Sequence, residues 1–326
     1  MASQGQEAAA KVSFPLATEP TRTIEVPSRR FGKYVVRSRL GQGGQAEVFL
    51  AEAVDDKGDQ VNVALKLMRQ GTSEEKFADE ADLMGLLSHP NLVKMMEHGV
   101  AFGRPFIAME FLIGGDLQEV MAAHRRAMKG FPMGMGVHVC IEVLKALAYF
   151  HKATTKTGAA LNLIHSDVNP SNVFFSGDGE VKLGDFGVAS STHVDIGPGT
   201  GVTAGKLSYL SPEQTRGDHL TPASDLWAVG VMLHEVVVGY HPFQKDGLTE
   251  QQTMAAIRAP KLNIPDYVDK PLAAVISKAL APDLKNRFRS AGEFAGPLFA
   301  YALDQNLLPS RNEMQTWLES VLGLLV

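Results

Sequence analysis

The chain of 326 residues changes its pattern of apolar and polar positions about one third of the way along. In the first third, apolar residues alternate with polar ones in short runs separated by glycines, which predicts antiparallel strands joined by turns. One segment instead has apolar residues at helical spacing after an acidic first turn. The predicted elements are three strands within 31–68, a helix over 73–88, and strands over 92–100 and 105–112.

Beyond the pair Gly114-Gly115, the apolar spacing is mostly helical. We expect helices over 115–128, 134–152, 222–239, 249–258, 271–281, 290–303 and 310–323, with short strands near 173–176 and 180–184. A small strand-rich half before a larger helical half predicts an α+β fold with two lobes and a cleft between them. The expected units are a flexible leader over 1–30, an N-terminal lobe over 31–112, a C-terminal lobe over 113–303 and a C-terminal helix over 304–326.

Composition and charge exclude several classes of protein. The net charge of −5, without a long basic run, argues against a nucleic-acid-binding surface. The longest apolar stretch, 226–239, is short and interrupted by His234 and Glu235, so we expect no membrane span. The single cysteine, Cys140, lies between apolar residues and is expected in a packed helix. The first residues lack the pattern of a signal peptide, so we expect a cytoplasmic protein.

A glycine-rich turn, Leu40-Gly41-Gln42-Gly43-Gly44, lies between two predicted strands and is followed by Val48. Glycines let the backbone approach phosphate oxygens closely, but a plain hairpin turn gives the same pattern. In the next strand, apolar neighbours direct Lys66 towards a largely buried interior, where an ammonium needs anionic partners. ATP phosphates and the carboxylate of Glu80, in the predicted helix, would serve. The alternative is an exposed lysine with an unrelated glutamate.

Two further segments carry carboxylates in loops beside short predicted strands. The first contains Asp167, a candidate acceptor of a hydroxyl proton, and Asn172, a candidate metal ligand. The second places Asp185 at the end of a strand, where a Mg²⁺ ligand is well positioned. Taken singly, each segment is also a common turn sequence.

The order and spacing of these segments, together with Asp185-Phe186-Gly187 and Ser211-Pro212-Glu213, resemble the eukaryotic-type protein kinase family. The resemblance covers roughly residues 31–303 and is closest to bacterial serine/threonine kinases. It implies a bilobal kinase fold, with a small antiparallel sheet and one main helix beside a larger helical lobe. It also implies an enzyme that uses ATP and Mg²⁺ to phosphorylate hydroxyl groups of a protein substrate.

By position, the resemblance implies that Lys66 binds the α- and β-phosphates of ATP and is held by Glu80. Asp185 and Asn172 would coordinate Mg²⁺, and Asp167 would orient the substrate hydroxyl and receive its proton. The other implied nucleotide contacts are those of Leu40, Gly41, Gln42, Gly43, Gly44, Val48, Ala64, Met109, Glu110, Leu112, Asp116 and Phe174.

Besides Ala46 in place of the third loop glycine and an insertion over 152–162, three positions depart from the family pattern. Ser166 replaces the arginine that binds a phosphate on the activation segment, the stretch between Asp185 and Ser211, so we expect loop phosphorylation to have a modest effect. Asn169 stands where serine/threonine kinases carry a lysine that contacts the γ-phosphate, and Lys206 stands where the family has a threonine. We hypothesise that Lys206 reaches Asp167 and the γ-phosphate and restores the missing cation. The alternative is an exposed lysine in a loop.

Two structural features complete the expectations for the C-terminal lobe. The resemblance implies a buried ion pair between Glu213 and Arg287 that braces the lobe. The last predicted helix has an apolar stripe, expected to pack on the helical lobe, with a dimer contact as the alternative. The members of this stripe are Met314, Trp317, Leu318, Val321 and Leu322.

Other functions stay open on the sequence. A pseudokinase that binds nucleotide and acts as a scaffold is favoured by Ser166 and Asn169. A small-molecule kinase is disfavoured by Ser211-Pro212-Glu213 and by Asp225, which belong to the protein-kinase pattern. Tyrosine also stays open as an acceptor. We expect the input signal to come from a separate regulatory partner, from the protein's concentration or from the short termini.

Overall fold

The computed structural model describes residues 25–42, 46–55, 57–68, 74–185, 204–245 and 247–323. Several predicted features lie outside the described residues. These are the leader up to residue 24, Gly43 and Gly44, the stretch from Phe186 to Thr203, and the side chains of Glu80 and Leu322.

An antiparallel sheet of six strands forms the N-terminal lobe. The strands are β1 (Glu25–Phe31), β2 (Tyr34–Gln42), β3 (Ala46–Val54), β4 (Gln60–Met68), β5 (Met95–Ala101) and β6 (Arg104–Glu110). They lie in the order β1-β2-β3-β4-β6-β5. The sheet curls until Phe31, at the end of β1, meets Phe102, in the turn after β5, with ring centroids 5.7 Å apart.

Four strands precede the first helix, rather than the three predicted. The additional strand, β1, begins at Glu25, within the segment predicted as the leader. The pairing of β1 with β2 shifts register between Glu25 and Arg29, which interrupts the alternation by which a strand is recognised in a sequence.

The alternation along β4 decides which side chains face the cleft. Leu65 and Leu67 are buried in the core on one face of the sheet, so Ala64 and Lys66 project from the other face. Across the register, Lys66 lies between Val48 of β3 and Ile107 of β6. The side chain of Lys66 therefore lies on the same face of the sheet as those of Val48 and Ile107.

The rest of the chain is mainly helical and confirms the expected bilobal α+β fold. Helix α1 (Glu74–Gly85) lies against strands β5 and β6 of the sheet. The helices of the larger lobe are α2 (Leu117–Arg126), α3 (Met133–Phe150), α4 (Ala204–Leu207), α5 (Pro212–Arg216), α6 (Pro222–Val238), α7 (Glu250–Arg258), α8 (Lys270–Ala279), α9 (Ala291–Asp304) and α10 (Arg311–Leu322), with a ribbon of β7 (Val173–Phe175) and β8 (Val181–Leu183). The short helices α4 and α5 were not predicted, because four or five residues are too few to show a helical period.

Helix α3 lies in the core of the larger lobe and packs on α6 and α9. Gly136 allows a very close approach to α6, since a Cβ at this position would lie 2.7 Å from Val236. Cys140 is buried in this helix, as predicted. Among the described residues, α3 is the one helix long and apolar enough to cross a bilayer, and 56% of that span is buried inside the protein. Its place in the core accounts for its apolar sequence.

Two backbone segments run between the lobes, and both are hydrogen-bonded to the β7–β8 ribbon. The first is 91–94, before β5. Leu183 of β8 donates its N–H to the carbonyl of Asn91 at 2.8 Å and accepts from the N–H of Val93 at 2.9 Å. The second is 110–115, after β6, which pairs with β7. Both connections are therefore fixed to the C-terminal lobe.

Helix α10 packs on the helical lobe, as predicted. Its buried side chains include Met314, Trp317, Leu318 and Val321. The indole Nε1 of Trp317 donates to Nε2 of His124 on α2 at 3.2 Å. The same ring makes an edge contact with Phe175 of β7, with centroids 5.9 Å apart. Thus α10 supports two elements that border the cleft.

Replacement of Trp317 by phenylalanine is expected to lower the free energy of unfolding by about 1–2 kcal/mol, because a buried hydrogen bond and part of a packed ring are lost. Thr316→Ala, on the exposed side of the same helix, is the matched control and should change that free energy by less than about 0.5 kcal/mol. Urea unfolding followed by circular dichroism measures both. Equal effects of the two substitutions would contradict the docking of α10.

Candidate active site

One buried carboxylate fixes the loop that carries Asp167. Asp225, in the first turn of α6, accepts hydrogen bonds from the backbone N–H groups of His165 at 2.9 Å and Ser166 at 2.8 Å. Nε2 of His151 lies 2.7 Å from the same carboxylate. Burial raises the pKa of Asp225, but the bonds from these groups, His151 first, outweigh it and hold the pKa below its ordinary value.

The carboxylate of Asp167 accepts hydrogen bonds on both of its oxygens. Asn169 Nδ2 donates to Oδ1 at 2.9 Å, and Asn172 Nδ2 donates to Oδ2 at 3.0 Å. Lys206 Nζ also lies 2.6 Å from Oδ2. The side chain of Asp167 is nevertheless 34% exposed, so an acceptor hydroxyl can approach it.

Lys66 and Asp185 form an ion pair between the lobes, from β4 on one side and the end of β8 on the other. The charge of Lys66 holds the pKa of Asp185 below its usual range against the opposing effect of burial, and Lys206 adds to the lowering. Asp185 has a φ of +56°, a backbone conformation that residues other than glycine adopt rarely. The expected contact between Lys66 and Glu80 stays a prediction, because the Glu80 side chain lies outside the described residues.

Asn172 and Asp185 offer oxygen atoms that suit Mg²⁺. They lie close together because the N–H of Gly184 donates to the backbone carbonyl of Asn172 at 2.9 Å. The side-chain amide of Asn172 directs Nδ2 at Asp167, which leaves Oδ1 available for a cation. Mg²⁺ prefers oxygen ligands and completes its shell with water and phosphate oxygens. Within the described ranges there is no cluster of three His, Cys, Asp or Glu side chains suited to a metal, and the binding of Mg²⁺ by this pair stays a prediction.

Other residues predicted to contact the nucleotide, where the structure describes them, lie around the same cleft. Val48, Ala64 and Met109 come from neighbouring strands, and the alternation of β3, β4 and β6 places them on the cleft face. Phe174 lies on β7 in the opposite lobe. Leu40, Gly41 and Gln42 form the end of β2. The backbone N–H of Leu112 donates to no carbonyl among the described residues, and its contact with the edge of a base stays a prediction.

Glu110 and Asp116 have side-chain partners that the sequence did not predict. The carboxylate of Glu110 accepts from the N–H of Lys94 at 2.7 Å and lies 3.0 Å from Nζ of Lys182 on β8. Asp116 caps α2 by accepting from the N–H of Glu119 at 2.8 Å. Burial, with the nearby charge of Glu119, raises the pKa of Asp116 to about 7. The nucleotide contact of Asp116 stays a prediction, and Lys182 was missed because no local pattern marks a partner so distant in sequence.

Helix α5 connects the loop that carries Asp167, called the catalytic loop below, to the C-terminal lobe. The Nε2 of Gln214 donates to the backbone carbonyl of Ser166 at 2.8 Å. The neighbouring Glu213 forms the expected ion pair with Arg287, with Oε1 and Nη1 2.7 Å apart. The sequence pattern identified Glu213 but not Gln214, whose role depends on the turn of a helix too short to predict.

Comparison with known proteins gives a consistent result. The family model for the protein kinase domain matches residues 34–296. The tyrosine-protein kinase MasK of Myxococcus xanthus is 33% identical over 276 residues, which are 82% of this chain and 43% of MasK. The serine/threonine-protein kinase PknJ of Mycobacterium tuberculosis is 32% identical over 275 residues, 81% of this chain and 44% of PknJ. The Aurora/IPL1-related protein kinase 2 of Caenorhabditis elegans is 29% identical over 275 residues, 81% of this chain and 83% of that protein.

The chain spans less than half the length of these two bacterial relatives. The family match nevertheless covers most of this chain and includes Lys66, Asp167, Asn172 and Asp185, the residues that surround the cleft. On the fold, the site and this match, the chain belongs to the protein kinase family.

Proposed function

We propose that this protein is a serine/threonine protein kinase that uses ATP with Mg²⁺. One observation carries the proposal, the convergence of four distant side chains. Lys66 meets Asp185 from the other lobe, and Asn172 joins Asp185 to Asp167. Phosphoryl transfer needs a cation at the phosphates, oxygen ligands for Mg²⁺ and a carboxylate at the acceptor hydroxyl. These four residues are of the types required.

In the proposed reaction, the hydroxyl oxygen of the substrate bonds to the γ-phosphorus of ATP. The bond from that phosphorus to the β,γ-bridging oxygen breaks, and ADP leaves with the electron pair. The hydroxyl proton passes to the carboxylate of Asp167 and then to water. Asn169 and Asn172 hold that carboxylate in position before the hydroxyl arrives. Bound Mg²⁺ would neutralise charge on the phosphates, with Asn172 and Asp185 as its protein ligands.

The class of acceptor is the finer part of the proposal. PknJ and PknB of Lactococcus lactis are named serine/threonine kinases, whereas MasK is named a tyrosine kinase. Serine and threonine therefore have the wider support among the relatives, and the acceptor needs a direct test.

Incubation with [γ-³²P]ATP, Mg²⁺ and a mixture of casein and myelin basic protein tests both parts. We expect labelled phosphoserine and phosphothreonine after acid hydrolysis. Excess EDTA should reduce the label at least about 100-fold, because the phosphates lose their metal ion. Label in phosphotyrosine alone would overturn the acceptor class and leave the kinase activity standing.

A second candidate function is a nucleotide-binding protein that does not transfer phosphate. Ser166 and Asn169 favour it, because the family's arginine and lysine are absent from these positions. ATP binding in a calorimeter without label on any protein would support it. We place it second because Asp167 and both candidate metal ligands are retained.

A further inference from the structure

The carboxylate of Asp167 has one cationic partner among the described residues, and that partner comes from outside the catalytic loop. Lys206 lies on the short helix α4, and its Nζ is 2.6 Å from Oδ2 of Asp167. We propose that Lys206 supplies the positive charge on the acceptor side of the transferring phosphoryl group, so that the placement of α4 completes the active site. The inference rests on the proposed kinase function.

Asn169 cannot supply this charge from its place in the catalytic loop. Its side chain is neutral and 2% exposed. Its Nδ2 donates at 2.9 Å to both the backbone carbonyl and Oδ1 of Asp167, and its Oδ1 accepts from the N–H of Ser171 at 3.0 Å. Every polar atom of the amide thus has a partner within the loop. Asn169 therefore acts as a neutral brace for Asp167.

The residues around Lys206 fix its backbone but leave its ammonium accessible. Leu207, Ser208 and Leu210 are buried, and the hydroxyl of Ser208 donates to the carbonyl of Gly205 at 2.8 Å. The Lys206 side chain remains 33% exposed. A lysine on an anchored helix, at the edge of the cleft and in contact with a carboxylate, differs from the solvated lysine that is usual on a protein surface.

Charge near the reacting atoms matters most where negative charge gathers in the transition state. In phosphoryl transfer, that charge spreads over the oxygens of the γ-phosphoryl group. Lys66 is paired with Asp185, at the candidate metal ligand, whereas Lys206 contacts Asp167, the residue that would hold the acceptor hydroxyl. The flexible stem of Lys206 allows its ammonium to contact Asp167 and an incoming phosphoryl oxygen together.

The position of this cation has a regulatory consequence. A lysine at position 169 would be present whenever the catalytic loop is folded, whereas Lys206 reaches Asp167 only when α4 is in place. Displacement of α4 would withdraw the charge and slow transfer. Control of activity by the placement of α4 needs no arginine at position 166, where this chain has serine.

Substitutions at one position separate charge from hydrogen bonding. Lys206→Gln keeps a donor of similar length but removes the charge, and kcat should fall about 10²- to 10³-fold. Lys206→Arg keeps the charge and should stay within about tenfold of the parent. The KM for ATP should change less than about threefold in both, because Lys66 and the candidate metal ligands are untouched. Lys285→Gln, at an exposed lysine of the same lobe, is the matched control and should match the parent.

A charge-relocation variant provides the second test. Asn169→Lys combined with Lys206→Thr should be at least about tenfold faster than Lys206→Thr alone, because a loop-borne ammonium replaces the lost one. A purely structural role for Lys206 predicts no such rescue.

The outcomes separate the inference from the proposed function. Parental kcat in Lys206→Gln would overturn the inference and leave the kinase activity intact. Equal losses in Lys206→Gln and Lys206→Arg would overturn it as well, and this comparison does not depend on the folding of the double variant. Absence of transfer by the parent protein itself would overturn the proposed function.

Discussion

Asp167→Asn is expected to lower kcat for phosphoryl transfer about 10²- to 10⁴-fold while ATP affinity stays within about threefold of the parent. An asparagine side chain has nearly the shape of the aspartate but cannot take up the hydroxyl proton. It also presents an amide to Asn169, Asn172 and Lys206, three groups that now donate to the carboxylate. The hydroxyl of the substrate would lose both its orientation and its proton acceptor.

The measurement is transfer from labelled ATP, with ATP binding followed separately by calorimetry. Asp266→Asn is the matched control, because it makes the same chemical change at an exposed position outside the site and should retain parental kcat. A variant at position 167 that binds ATP and transfers phosphate at the parental rate would contradict the role proposed for Asp167.

Arg287→Met is expected to lower the free energy of unfolding by about 3–5 kcal/mol. Arg287 is 1% exposed, and its guanidinium donates to the carboxylate of Glu213 and to the carbonyls of Ala281 and Ala223. It also lies over the ring of Trp227, with the guanidinium carbon 4.9 Å from the centroid. Removal leaves Glu213 as a buried charge without its counterion. Urea unfolding of the variant and the parent measures the difference.

The companion variant Glu213→Gln/Arg287→Met isolates that stranded charge. It should unfold with a smaller loss than Arg287→Met alone, since no ionised carboxylate remains buried without a counterion. A double variant that is no more stable than Arg287→Met would show that the guanidinium acts through packing and its bonds to backbone carbonyls instead.

The same ion pair predicts how stability depends on pH. Burial raises the pKa of Glu213, but the hydrogen bonds and charge of Arg287 and the bond from Ser224 outweigh it, so the pKa lies below its ordinary value of 4.5. A carboxyl group with a lowered pKa in the folded state contributes stability above its unfolded pKa and loses it as pH falls through the folded pKa. The parent should therefore lose stability in acid more steeply than Glu213→Gln. Thermal unfolding between pH 3 and 7 compares them.

The residues that form the site were predictable to different degrees. Lys66, Asp167, Asn172 and Asp185 lie in local segments whose order and spacing are characteristic, so the sequence alone placed them at one cleft. Lys182 could not be found this way, because its contact with Glu110 joins strands far apart in the chain. A pairwise contact of this kind depends on the assembled fold and leaves no periodic signal.

The fold was predictable wherever an element was long and had one apolar face. Helices α3, α6 and α9 begin and end within two residues of their predicted bounds. Strand β1 was missed because its register shift removes the alternation, and α4 because four residues contain barely one turn. Yet α4 carries Lys206, so the lysine proposed to complete the site lies on an element that periodicity cannot reveal.

The two segments between the lobes, 91–94 and 110–115, are both bonded to the β7–β8 ribbon. Any opening of the lobes would therefore be a rotation about an axis through these neighbouring segments. Strand β6 leads directly into segment 110–115, and β4, which carries Lys66, pairs with β6. Because displacement grows with distance from such an axis, Lys66, one strand away from that segment, would move little and keep its ion pair with Asp185.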